Sequence, residues 1–113
     1  MFELRKLIWN TKQGDLDVTS YFNKLRNLWL ELDHYQSNVR NSGKTSLAWK
    51  EAVDRDRIFE FLAGLNPEYD HMCSFVFGRS TLPSLDEVFA MIRGEETRRV
   101  AMLGDKQQDT ALV

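Results

Sequence analysis

Apolar side chains recur every three or four positions along most of the chain, and no segment shows the period of two that a half-buried strand requires. The pattern predicts five helices. The first covers about Phe2 to Lys12, with Leu4, Leu7 and Ile8 on one side, and stops before Gly14, a residue suited to a turn. The second starts after Asp17 as N-cap, with Leu16 and Tyr21 at hydrophobic-staple positions. It carries Val18, Phe22, Leu25, Leu28, Trp29 and Leu32 to about Tyr35. Gln36 to Ser46 is rich in Asn, Ser, Gly and Lys without an apolar period, and reads as a loop.

Beyond that loop, Leu47, Trp49 and Val53 lead into Ile58, Phe61, Leu62 and Leu65, a third helix ended near Gly64. Asn66 and Pro67 suit the N-cap and first position of a fourth helix, which Gly78 closes. Ser84 and Glu87 have capping-box spacing, and Leu85, Val88, Phe89 and Ile92 mark a fifth helix to about Leu103. Five helices with short connections predict a compact all-α bundle over residues 1–103, and the polar stretch 104–113 reads as a flexible tail.

Composition narrows what such a bundle can do. With 113 residues it is one module, and 42% apolar content supports a real core. Fifteen Lys and Arg against 17 Asp and Glu give a net charge of −2, which disfavours holding a phosphate backbone. The longest apolar run, Val88 to Ile92, is far below the roughly 18 residues of a membrane helix, so no membrane association is expected. Polar residues break up the N-terminal apolar residues, against a signal peptide, and Phe2 stands where myristoylation needs Gly. The single Cys73 makes no internal disulfide, and a cytoplasmic protein is expected.

Candidate chemistry is sparse. His71 and Cys73 lie near Glu68 and Asp70, but residues two apart on a helix diverge, and zinc wants about four converging ligands. His34 beside Asp33 has no nucleophile at helical spacing. No phosphate-binding loop, nucleophile elbow or His-Glu-x-x-His pair is present. No catalysis, metal or cofactor is expected. Glu95, Glu96, Arg98 and Arg99 form a charge cluster that reads as a solvated face or a partner's docking point. Trp29 lies on the apolar stripe, whereas Trp9 and Trp49 fall in poorly periodic segments and are candidates for a surface covered by another subunit.

The ordered series Gln13-Gly14, Tyr21-Phe22-x-x-Leu25, Leu28-Trp29-x-x-Leu32, Phe61-Leu62-x-Gly64-Leu65-Asn66, Tyr69-Asp70 and Leu82-Pro83-Ser84-Leu85-Asp86-Glu87-Val88-Phe89, with Glu95-Glu96, resembles the Gag polyprotein of copia-type retrotransposons. The resemblance covers nearly the whole chain. It points to the capsid region, similar to the retroviral capsid C-terminal domain and to the C-lobe of the neuronal Arc protein. Gln13, Gly14, Asp17, Phe22 and Arg26 then correspond to a turn like that of the retroviral major homology region, its acidic position taken by Asp15 or Asp17 and its basic one by Lys24 or Arg26.

The resemblance implies a structural protein that assembles with itself, and with full-length Gag where that is present. RNA binding would come only from flanking regions. Arg55 and Asp56 occupy the place of the retroviral dimer's apolar side chains, so Leu47, Trp49 and Val53, one or two turns earlier, or Trp9 in the first helix, are expected to supply the apolar contact. The other reading of the same residues is a domesticated adaptor whose bundle presents a groove to a partner protein or peptide.

Overall fold

The structure, a computed structural model, describes residues 2–39 and 47–112, with side chains described for 3–35 and 47–103. Among these the chain is helical, with no strand. The elements are α1 (Phe2–Asn10), α2 (Val18–Val39), α3 (Leu47–Ala63), a 3-10 turn (Pro67–Tyr69), α4 (Asp70–Phe77) and α5 (Leu85–Leu112). The all-α expectation holds.

Helix starts follow local chemistry. The Ser20 N–H donates to Asp17 Oδ1 at 2.7 Å, so Asp17 caps α2 as its position predicts. The Glu87 N–H donates to Ser84 Oγ at 3.2 Å and caps α5 in the same way. Asn66 departs from expectation. It occupies the cap position before Pro67, yet its side chain makes no cap bond, and the segment opens as a 3-10 turn before α4 begins.

Helix ends differ more. α1 stops at Asn10 rather than Lys12, because the Gln13 N–H donates across the fold to the Gly64 carbonyl at 2.8 Å instead of continuing the helical ladder. α2 runs past Tyr35 to Val39, since Gln36, Ser37 and Asn38 include neither Gly nor Pro to stop it. Of the loop expected over Gln36 to Ser46, the part 40–46 lies outside the described residues. α5 continues through Leu112 rather than ending near Leu103. A single Gly104 costs about 1 kcal/mol and does not break a helix that goes on through Lys106, Gln107 and Gln108.

The core forms where α5 packs against α2, α3 and α4, with α1 laid on α2. Val18, Tyr21, Leu25, Ile58, Phe61, Val76, Val88 and Ile92 are all but sealed from solvent. Phe22 sits among aromatic neighbours: its ring centroid lies 4.3 Å from Phe89, 5.1 Å from Phe61 and 6.0 Å from Trp29. Leu4 and Ile8 anchor α1, one turn apart on the same line, while Leu7 falls to the side and is exposed. At 1.5 Å per residue the 28-residue α5 is about 42 Å long, and the molecule measures 65 × 31 × 16 Å.

Candidate functional site

The turn between α1 and α2 is built on Gly14, whose φ of 57° is the left-handed value that most side chains resist. Buried Gln13 beside it bonds through both ends of its amide. Its Nε2 donates to the Leu16 carbonyl at 2.9 Å, and its Oε1 accepts the Asn66 backbone N–H at 3.1 Å. The Asn66 amide returns the link, its Nδ2 donating to the Gly14 carbonyl at 2.9 Å. A turn near the N-terminus is thereby clasped to the junction between α3 and α4. Gln13 thus ties the turn to itself and to this remote junction.

The neighbouring charges sort themselves. The Val18 N–H, at the positive end of α2, donates to Glu96 Oε2 of α5 at 2.8 Å. Asp17 is held below the ordinary carboxylate range chiefly by its bond from the Ser20 backbone. Phe22 belongs to the core. Lys24 and Arg26, the two candidates for the basic member of the turn, are both exposed on α2, and Arg26 makes no hydrogen bond or ion pair with the described residues. The charge cluster of α5 is engaged within the chain: Glu96 at α2, Arg98 with Glu95 at 2.6 Å, and Arg99 donating to the Glu68 carbonyl at 2.9 Å.

Between α2 and α3 the packing is tight and partly polar. Tyr21 donates its hydroxyl to the Phe61 carbonyl at 2.8 Å. A Cβ on Gly64 would lie 2.0 Å from that hydroxyl and 2.7 Å from the Thr11 carbonyl, so glycine is needed there for close approach, with no left-handed φ involved. Trp29 Nε1 donates to Glu60 Oε1 at 2.8 Å, Arg57 lies 5.6 Å from the centre of the Trp29 ring, and Arg57 also pairs with Asp33. Burial pushes the Glu60 carboxyl above its ordinary value, against the opposing effect of the Trp29 bond.

The residues expected to mediate self-association lie on two helices. Trp9 is 56% exposed on α1. On α3, Leu47 is 71% exposed, Trp49 and Val53 are half-buried, and Arg55 and Asp56 are exposed. A further exposed aromatic face involves residues outside that set. Phe59 of α3 and Phe77 at the end of α4 are 53% and 47% exposed, with ring centroids 5.3 Å apart. Phe75 is also exposed, its ring 5.9 Å from the Arg79 guanidinium. A signal for this face exists in the sequence: Phe59 adjoins Ile58 but falls off the stripe Ile58, Phe61, Leu62 and Leu65, which leaves it on the outer side of the helix. Phe75 and Phe77 flank buried Val76 in the same way.

His71 is exposed, while Cys73 is half-buried with its thiol 3.8 Å from the Leu62 carbonyl and its pKa raised by burial. Among the described residues, no group of three or more His, Cys, Asp or Glu side chains could hold a metal ion, and no helix is long and apolar enough to cross a membrane. No protein-family model matches the chain, and no curated protein or solved structure matches it.

Proposed function

We propose that this chain is a self-associating structural module of Gag or capsid type, from a retrotransposon or a gene derived from one, that acts by assembly and without catalysis in the cytoplasm. Its partners in this reading are further copies of itself and any full-length Gag, with RNA bound only by flanking regions. The observation that carries the reading is the Phe59 and Phe77 pair, two large apolar side chains about half exposed and touching across two helices. An apolar surface of this kind is covered at low cost by another protein surface. The resemblance of the ordered motifs from Gln13 to Glu96 to copia-type Gag, together with the helical bundle of the capsid C-terminal type that it implies, supports the same conclusion.

Light scattering on the unaltered chain and on the Phe59→Ser, Phe77→Ser double variant tests it. Mass that rises with concentration in the first and stays at 13.2 kDa in the second supports assembly through apolar surface. An unaltered chain that stays monomeric throughout contradicts the proposal.

A second reading, the adaptor, is favoured by one feature. Met102 and Leu103 line a shallow recess on α5, edged by Arg98 and Arg99, of a kind that an acidic, apolar peptide would fit. Peptide capture by a strictly monomeric chain would favour it.

A further inference from the structure

We propose that two copies of this chain meet through the outer side of α3, with Phe59 at the centre and Arg55 of each copy opposite Asp56 of the other. This rests on the self-association reading and specifies its geometry. Arg55 and Asp56 stand four and three residues before Phe59, hence one turn away on the same side of α3. At about 100° per residue they fall roughly 40° and 60° to either side of the Phe59 line, so opposite charges flank the aromatic ring. Both are exposed, and neither makes an ion pair with the described residues. Neighbours in sequence on a helix diverge, so they do not neutralise each other directly.

That arrangement is self-complementary for one class of two-fold contact. When the two-fold axis runs close to the direction of α3, the paired helices are near parallel, and the left flank of one meets the right flank of the other. Each Arg55 then faces the other copy's Asp56, twice per dimer, with the Phe59 rings between them. An antiparallel pairing centred between Arg55 and Asp56 would oppose like charges, and one centred on Phe59 would separate the charged residues of the two copies by about 9–12 Å along the axis, so neither gains the reciprocal pairs.

Area sets the strength. A fully buried aromatic covers about 150–250 Å². Half-exposed Phe59 and Phe77 therefore leave about 200 Å² of ring surface per copy, or about 400 Å² across a pair. That is the apolar core of a small interface, below about 1,200 Å², so the contact is weak and concentration-dependent, as a repeated assembly contact can be.

Sedimentation velocity on charge-reversed chains tests the pairing, with melting curves confirming that each variant folds. Arg55→Asp and Asp56→Arg are each expected to weaken self-association about tenfold or more, and the double variant R55D/D56R to restore it. An equimolar mixture of the two single variants is expected to associate better than either alone. Phe59→Ser is expected to weaken association in every background. Single reversals that associate like the unaltered chain, or a folded double variant that fails to recover, would overturn this face while leaving self-association standing. An unaltered chain that never associates would overturn the underlying reading as well.

Discussion

Gln13 and Asn66, 53 residues apart in sequence, hold each other's neighbourhoods: the Gln13 side-chain oxygen accepts the Asn66 N–H, and the Asn66 amide donates to the carbonyl of Gly14. Each bond satisfies a backbone group at a place where the chain leaves a helix. The α1–α2 turn and the α3–α4 junction are therefore expected to form and break together.

Gln13→Ala removes both of its side-chain bonds from a buried position and leaves the Leu16 carbonyl and the Asn66 N–H without their partner. A loss of about 1–3 kcal/mol is expected. Urea unfolding should show a lower midpoint at an unchanged slope, since the surface exposed on unfolding is the same. Asn66→Ala, which loses only a solvent-exposed bond, should cost less than Gln13→Ala.

Gly64→Ala drives a methyl group into the Tyr21 hydroxyl and toward the Thr11 carbonyl. The expected destabilisation is about 1–3 kcal/mol, as for overpacking, and toward the upper end because a backbone atom is in the way. Tyr21→Phe in the same chain should recover part of that loss, because it removes the nearest of the clashing atoms. Recovery stays incomplete while the Thr11 carbonyl remains at 2.7 Å. Thermal melts of the two single variants and the double variant measure the coupling directly.

Glu60 gives a pH signature. Burial raises its folded pKa above the ordinary carboxylate value, so its ionisation opposes folding. The stability it contributes is complete below the ordinary value and is lost as pH rises through the raised one. Glu60→Gln keeps an acceptor for Trp29 Nε1 and carries no charge. The variant should match or exceed the unaltered chain in stability at neutral pH, and the difference should shrink as pH falls toward about 4. Asp17 and Glu95, whose pKa values are lowered, act in the opposite sense, and stability owed to them is lost as pH falls through their depressed values. Both are present in the two chains and cancel in the comparison.

What could be read from the sequence follows from range. Asp17 and Ser84 mark true helix starts because a cap bonds only two or three residues along the chain. The Gln13-Gly14 pair announces a turn for the same reason. Its partner at Asn66 is not legible, since nothing local distinguishes an Asn that caps its own helix from one whose amide crosses to another segment. Helix ends are less legible than starts: α1 stops where Gln13 finds Gly64, a tertiary event, and α5 passes Gly104 because one glycine is a cost rather than a barrier. The tryptophans, with the largest rings, draw attention as candidate surface residues. Phenylalanines one position off their buried stripes are less conspicuous, yet they bring two helices' aromatic rings together at the surface.

The proposed function requires that a copy of this chain cover its outward aromatic surface. Sedimentation equilibrium of the unaltered chain, from micromolar to millimolar concentration, measures this most directly. A weight-average mass that climbs from 13.2 kDa toward twice that value or beyond is expected. A mass fixed at that of one chain over the whole range would contradict it.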